Sequence, residues 1–358
     1  MKLSTVLPAA LLSFAMAAPV AEPQDIDFEA YEAIEIVPDA TAPIGAVVPA
    51  AVVYDQEGAI EDAVASAIDP ADPDLTKRGN CAPAPPGNAP ATSSPDTAEA
   101  FVANPVYSAA ALGAATPPGW FLVDGYKNLH ASAASPTYMT YTSSPLTSYD
   151  PAKCAAICAS KAGCTSFNIF FERDPVNNLD KKNCPDSASL TRIKCSFFGG
   201  LITVADATND GQYTGVFHVV TAGSNAYTTN PQSIPGFTGP VSLGSATIKA
   251  PTSDKTYMGS QTFPQTQPYD PAVCAATCQE KSAYNLRHET VPGTARICRF
   301  FDAYILYKDG QNPVFTCAYY TQAYDASYAT NVGQYNSAGA HFTNEHSYTY
   351  TLNEPQEA

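Results

Sequence analysis

The stretch that decides the fold is YDPAKCAAIC at Tyr149–Cys158, because almost the same residues return as YDPAVCAATC at Tyr269–Cys278. In each copy the aspartate is a favourable helix N-cap, and the proline stands at the first helical position, where its missing N–H costs nothing. An alanine-rich run follows, with two cysteines four residues apart. Residues at that spacing lie on the same side of a helix. The repeat therefore predicts two equivalent helices, each with both its cysteines on one side.

The self-similarity continues on both sides of these helices. The corresponding residues are, in chain order, Thr137-Tyr138-Met139 with Thr256-Tyr257-Met258, Cys164 with Cys298, Phe167 with Phe301, Cys195 with Cys317, and Gly211-Gln212-Tyr213 with Gly333-Gln334-Tyr335. Matches that keep their order over such a length indicate an internal duplication. We expect module 1 at 118–225, a linker rich in Pro, Ser and Thr at 226–235, and module 2 at 236–352.

Each predicted helix is followed by runs of aromatic and β-branched residues that are typical of strands. These runs are Phe167–Phe171, Cys195–Phe198 and Val216–Val220 in the first copy, and Phe301–Tyr307, Cys317–Tyr320 and Tyr348–Thr351 in the second. One helix packed on an antiparallel sheet is an α+β arrangement. The predicted fold is α+β, with two tandem disulfide-stapled modules, each one helix packed on an antiparallel sheet.

The N-terminal part of the chain indicates secretion. Lys2, the apolar run Val6–Ala15 and an A-x-A motif predict a signal peptide at 1–17. Residues 18–78 hold 14 Asp and Glu but only two basic residues, Lys77 and Arg78. Acidic and apolar side chains alternate in this segment at Asp25–Glu29. Such a composition is typical of a poorly packed, solvated segment. We interpret 18–78 as an acidic propeptide, cut after Lys77-Arg78 by a dibasic-processing protease, and 79–117 as a Pro/Ala-rich start of the mature chain. An ordinary exposed Lys-Arg pair is the alternative.

Most of the negative charge belongs to the propeptide. The whole chain has 34 acidic and 18 basic residues, and the first 78 residues carry 14 and 3 of them. The remainder keeps 20 and 15, a net charge of −5, which argues against nucleic acid as a partner. No apolar run reaches the roughly 20 residues that a membrane span requires. We expect a protein that is secreted and acts outside the cell or in the cell wall.

All ten cysteines lie after residue 80. An even number in a secreted chain favours disulfides. Zinc is the alternative, but the two C-x₃-C pairs lack the second ligand pair that zinc sites usually have.

The order of these cysteines resembles that of the PAN/apple module, in which a helix bears C-x₃-C and further cysteines open the following strands. The whole chain also resembles a family of secreted ascomycete proteins without an established activity, and dibasic cleavage of the kexin type belongs to the same fungal resemblance. The PAN/apple resemblance implies Cys154–Cys195 and Cys158–Cys164 in module 1, and Cys274–Cys317 and Cys278–Cys298 in module 2. Cys81 and Cys184 remain, and a bridge between them would leave no free thiol.

No catalytic or cofactor motif is found, and no metal site is expected. The five histidines do not have metal-ligand spacing. Glu172-Arg173-Asp174 could suggest paired carboxylates, but the neighbouring turn residues favour a solvated turn. Asp206–Gly211 superficially suggests a calcium loop, yet it lacks the final glutamate of an EF-hand and fits a hairpin turn better.

The favoured function is therefore a non-catalytic binding or structural protein that recognises a polysaccharide or an extracellular protein. A secreted hydrolase of unrecognised type and a host-directed effector are the alternatives. Tyrosine offers an apolar face and a polar tip, which suits sugar surfaces, although cross-strand packing gives the same composition. The candidate ligand-binding residues are Tyr319, Tyr320, Tyr324 and Tyr328, with one ring of the first two expected to face solvent.

Overall fold

The computed structural model describes residues 26–42, 54–65, 81–90, 93–179 and 183–353. The predicted signal peptide and the predicted processing pair, Lys77 and Arg78, lie outside the described residues. The helices of the described part are α1 (Phe28–Glu32), α2 (Gln56–Ala65), α3 (Ala98–Val102), α4 (Pro105–Gly113), α5 (Pro151–Ala159) and α6 (Pro271–Arg287). Among these described residues, no helix is both long and apolar enough to cross a membrane.

Strands make up most of the remaining regular structure. They are β1 (Trp120–Leu122), β2 (Tyr138–Thr142), β3 (Ser166–Pro175), β4 (Ser189–Phe198), β5 (Gly211–Thr214), β6 (Phe217–Thr229), β7 (Phe237–Gly244), β8 (Thr247–Ile248), β9 (Tyr257–Thr262), β10 (Phe300–Lys308), β11 (Gln311–Tyr320), β12 (Ala329–Asn331), β13 (Gln334–Tyr335) and β14 (His341–Leu352). Their pairings are antiparallel. The predicted α+β class with antiparallel sheets is therefore confirmed.

The strands form two six-stranded sheets with the same strand order. In the first sheet the order is β1-β6-β3-β4-β2, and β5 also pairs with β6. In the second sheet β14, β10, β11 and β9 follow one another in the same way, and both β7 and β13 pair with β14. A short pair, β8 with β12, lies beside the second sheet. The sequence repeat thus corresponds to a repeated topology.

The helices of the repeat begin as the sequence predicts. Asp150 accepts a hydrogen bond from the backbone N of Lys153 at 3.2 Å, and Asp270 accepts one from Ala272 at 3.0 Å. Disulfides then fix each helix to its sheet, because the first cysteine of α5 bonds to β4 and that of α6 bonds to β11. The four bridges that the resemblance implies are present: Cys154–Cys195, Cys158–Cys164, Cys274–Cys317 and Cys278–Cys298. The two remaining cysteines, Cys81 and Cys184, also form a bridge.

The expectation of one helix on each sheet is not confirmed. Helices α3 and α4 also pack on β6 of the first sheet. Phe101 and Tyr107 are buried there, and the Tyr107 ring lies 4.6 Å from that of Phe171. The segment 79–117 therefore contributes to the core of the first sheet.

The segment 18–78, expected to be poorly packed, has three buried residues in its described part, although most of residues 26–42 are exposed or half-buried. Ile26 and Tyr31 are buried in the hydrophobic cluster of the second sheet, and Ala42 is buried against Tyr141 and Phe170 of the first. The acidic residues dominate the composition, but the apolar residues between them supply the buried contacts. The sequence shows this alternation, but it does not show that the apolar side chains have a surface on which to be buried.

Candidate functional site

The tyrosines chosen from the sequence lie mostly inside the protein. Tyr319 is 0% exposed, Tyr320 2% and Tyr324 7%, whereas Tyr328 is 36% exposed. The prediction that one ring of Tyr319 and Tyr320 faces solvent is wrong. Burial raises the pKa of both hydroxyls.

The reason is that β11 is covered on both faces. Tyr319 lies in the cluster below α6, with the Nζ of Lys281 at 5.2 Å from its ring centroid. Tyr320 points to the opposite face, where its hydroxyl donates to the carbonyl oxygen of Ile248 at 2.9 Å. The two rings alternate as a strand requires. Neither reaches solvent, because the rings of Tyr257, Phe300 and Tyr324 surround Tyr320 on the second face.

Two other tyrosines are exposed at equivalent positions of the two sheets. Tyr213 of β5 is 65% exposed, and Tyr335 of β13 is 68% exposed. Each ring stacks on a histidine of the neighbouring strand. The centroid of Tyr213 lies 4.1 Å from that of His218 with 9° between the planes, and Tyr335 lies 4.3 Å from His341 with 14°. We call these two stacked pairs the tyrosine platforms.

A glycine two residues before each tyrosine explains how the platforms are built. Gly211 and Gly333 have φ values of +120° and +125°, where side chains are rarely tolerated. A Cβ at Gly211 would lie 2.0 Å from the carbonyl oxygen of Val219, and one at Gly333 would lie 2.3 Å from that of Phe342. The glycine lets the short strand approach its partner closely, and Tyr213 then pairs directly with His218.

Backbone hydrogen bonds hold the histidine below each tyrosine. The carbonyl oxygen of His218 accepts from Nη1 of Arg173 at 2.9 Å. The backbone N of His341 donates to Oδ1 of Asp309 at 2.9 Å. Each platform therefore rests on a fixed strand, with the tyrosine ring at the surface. The repeated Gly-Gln-Tyr motif was the sequence signal for these residues, but by itself it does not show exposure.

The carboxylates considered for catalysis lie in a closed ion network. Glu172 and Asp174 belong to β3 and are buried, so the expectation of a solvated turn is wrong. Nζ of Lys194 pairs with Glu172 and lies 3.9 Å from Asp174, and Nε of Arg192 lies 3.0 Å from Asp174. Burial, followed by the nearby Asp174 charge, raises the pKa of Glu172. All four side chains are at most 3% exposed, so the network presents no surface to a substrate.

Two further acidic residues are used by the backbone. Asp206 accepts from the backbone N of Thr203 at 2.6 Å, and burial raises its pKa to about 6. Asp302 accepts from the backbone N of Ile248 at 3.0 Å and from Oγ of Ser347 at 2.7 Å, and burial raises its pKa to about 7. Within the described part of the chain, no group of three or more His, Cys, Asp or Glu could hold a metal ion.

A shallow cavity of about 340 Å³ lies at the end of β11. It is lined by Arg299, Thr321, Gln322, Ala323, Thr351 and Leu352. Arg299 is the one titratable side chain among these residues, so the lining does not bring an acid and a base together.

No protein-family model, curated protein or solved structure matches the chain.

Proposed function

We propose that this chain is a secreted, non-catalytic binding protein made of two tandem PAN/apple-like, disulfide-stapled modules, and that each module presents one tyrosine platform to a polysaccharide. The single observation that carries the proposal is the recurrence of an exposed Tyr–His stack at the same position of both sheets. The same proposal includes an extracellular or cell-wall location, dibasic processing at Lys77-Arg78, and no nucleic-acid partner. Five disulfides are compatible with secretion.

The exposure of these rings favours a ligand contact over a purely structural role. A tyrosine ring presents a broad apolar face with a polar tip, which suits the apolar face of a sugar ring. Cross-strand stacking on His218 or His341 uses one face of each tyrosine and contributes only about 0.2–1 kcal/mol. The other face is free to contact a ligand, because Tyr213 and Tyr335 are both about two-thirds exposed.

Duplication suits a polymer that repeats its binding unit. Once the first platform is bound, the second meets the same chain at an effective concentration of the order of mM. Avidity can then exceed the affinity of a single platform by roughly 10²–10⁴-fold without any new contact. Weak binding by each tyrosine is therefore sufficient for strong binding to a wall polysaccharide.

A pull-down of the full chain on insoluble chitin and β-glucan tests the proposal. Tyr213→Ala and Tyr335→Ala should each weaken binding at least about tenfold, and the double variant should abolish it, since avidity needs both platforms. Val216→Ala and Val332→Ala are matched controls, because these exposed valines lie beside the platforms. The controls should bind like the unaltered chain.

If the unaltered chain binds neither polysaccharide, or if the double variant binds as well as the valine variants, the tyrosine platforms are structural pairs. An extracellular protein then becomes the better ligand.

A further inference from the structure

The face of the second sheet that lies away from α6 is covered by part of the acidic segment. We call this surface the outer face, and it is formed by Phe300, Tyr304, Leu306, Val314, Tyr320 and Phe342. Ile26 and Tyr31 are buried on it, and Phe28 packs beside them. The ring centroids of Phe28 and Tyr31 lie 4.7 Å and 5.0 Å from that of Phe342. The outer face thus binds an aromatic peptide segment of the same chain.

Polar contacts fix the register of this segment on the outer face. The hydroxyl of Tyr31 donates to the carbonyl oxygen of Asn312 at 2.7 Å. The backbone N of Ile26 donates to Oε1 of Gln334 at 2.9 Å. Nζ of Lys308 pairs with Glu32, so the surface also offers a cation to an acidic segment. These contacts select for spacing and charge as well as for apolar character.

The same segment continues onto the first sheet. Ala40 and Ser135 exchange two backbone hydrogen bonds of 3.1 and 2.9 Å. Oγ1 of Thr41 donates to the carbonyl oxygen of Ala133 at 3.1 Å. Beyond residue 53, the hydroxyl of Tyr54 donates to Oδ2 of Asp270 at 2.9 Å. The acidic segment therefore contacts both sheets and the start of α6.

A segment of this kind depends on its tether. Helix α1 has five residues, and a helix so short is not stable alone in water. Binding therefore has to supply the ordering of the segment, which lowers its affinity. While the segment is tethered, its effective concentration is of the order of mM, so a dissociation constant of about 10–100 µM is enough to keep it bound. Once the segment is cut and diluted below this dissociation constant, it leaves the outer face.

We propose that the outer face is a peptide-docking surface, that residues 26–42 occupy it in cis, and that cleavage at the predicted Lys77-Arg78 site frees it for an acidic segment with the same apolar spacing. This surface uses other side chains than the tyrosine platforms, although its contact Gln334 lies next to Tyr335 on β13. Release of the outer face rests on the dibasic processing proposed above, whereas peptide binding and polysaccharide binding are measured separately. The partner is defined by its chemistry: apolar or aromatic side chains at the spacing of Ile26, Phe28 and Tyr31, with carboxylates between them.

A fluorescently labelled peptide of residues 26–42 tests the proposal by anisotropy. The uncleaved chain should not bind it, because the tethered segment occupies the face. The chain is then digested with a dibasic-specific protease and diluted to below about 1 µM. It should now bind the labelled peptide with a dissociation constant of about 10–100 µM. Uncleaved chain carrying Tyr31→Ala should also bind the peptide, which makes the result independent of the digestion.

Variant peptides supply the matched control. Tyr31→Ala in the peptide should weaken binding at least about tenfold, since Tyr31 is buried, whereas Ile36→Ala should change nothing, since Ile36 is 51% exposed. Three results would each overturn the proposal: no binding to cleaved chain up to about 1 mM, retention of the cut segment at nanomolar concentration in size exclusion, or equal weakening by the two variants. Retention would make residues 26–42 a permanent part of the fold.

Discussion

His346 occupies in the second sheet the position that Gly223 occupies in the first, and both have left-handed backbone conformations, with φ of +51° and +58°. Each lies where β14 or β6 shifts register against the central strand. The hydroxyl of the repeated motif tyrosine bonds to this site in both sheets: Tyr269 lies 2.9 Å from the carbonyl oxygen of His346, and Tyr149 lies 2.6 Å from that of Gly223. The bulge is therefore part of the duplicated architecture, and the second sheet forms it with a residue that has a Cβ.

Replacing His346 with glycine should stabilise the protein. A left-handed conformation costs a residue with a Cβ about 1–2 kcal/mol, and glycine entropy offsets about 0.5–1 kcal/mol of the gain. We expect the free energy of unfolding to rise by about 0.5–1 kcal/mol, measured by urea denaturation. Gly223→Ala should instead destabilise, because its Cβ would lie 2.8 Å from the carbonyl oxygen of Tyr107. A lower urea midpoint for His346→Gly would contradict the argument.

Asp302 should make the stability of the protein depend on pH. Its pKa is raised from 3.8 to about 7 by burial, so folding favours the protonated carboxyl. The folded state binds more protons than the unfolded state between these values, and this stability is lost as pH rises from about 4 through about 7. The loss is at most about 4 kcal/mol for a shift of this size.

Asp302→Asn should remove that dependence. Asn168 stands at the corresponding position of the first sheet, where its side chain accepts from the backbone N of Ala133 at 2.9 Å and donates to Oγ of Ser224 at 2.9 Å. An amide therefore suits the position. In urea denaturation the variant should gain on the unaltered chain between pH 4 and pH 8 by up to about 4 kcal/mol. An unchanged difference between those two pH values would refute the assignment.

The sequence predicts the repeated parts of this fold well, because the signals there are local. The Asp-Pro start of each helix and the spacing of the cysteines are visible in ten residues. The pairing of the first helix cysteines with Cys195 and Cys317 came from the PAN/apple resemblance, and the structure has both bridges. Packing of α3 and α4 on the first sheet is different in kind, since it depends on contacts between residues more than 60 positions apart, such as Phe101 and Tyr107 with Phe171.

Exposure was the property that the sequence could not supply. Tyr320 and Tyr335 are the same residue type in predicted strand-rich sequence, yet Tyr320 is 2% exposed and Tyr335 is 68% exposed. The difference arises because the rings of Tyr257, Phe300 and Tyr324 enclose Tyr320, whereas Tyr335 lies on β13 at the end of the second sheet. Glu172 and Asp174 are a second case. The turn residues near them predict solvated side chains, whereas cations of the neighbouring strand enclose both carboxylates in the structure.

The buried ion network should be sensitive to the loss of its lysine. Lys194→Met removes the cation that pairs with Glu172 and leaves that carboxyl group without its partner in the interior, whereas Asp174 keeps Arg192. Breaking one side of such a network costs about 3–5 kcal/mol. Lys308→Met is the matched control, because its pair with Glu32 is partly exposed and should contribute at most about 1 kcal/mol. Equal losses in urea denaturation at pH 7 would show that the network is not what stabilises β3 and β4.

The glycine of the second platform should control binding without touching the tyrosine ring. Gly333→Ala combines a φ of +125° with a Cβ only 2.3 Å from the carbonyl oxygen of Phe342, so β13 has to move away from β14. Tyr335 would then lose its stack on His341. Polysaccharide binding should fall as far as it does in Tyr335→Ala, while Tyr213 keeps its own platform.

Gly339→Ala is the control that separates backbone strain from displacement of β13, because its φ of +86° is also left-handed but no atom lies within 4 Å of the added Cβ. That control should lose about 1–2 kcal/mol of stability, measured by urea denaturation, and keep its binding. Equal binding by all three glycine and tyrosine variants would mean that the ligand does not contact the second platform.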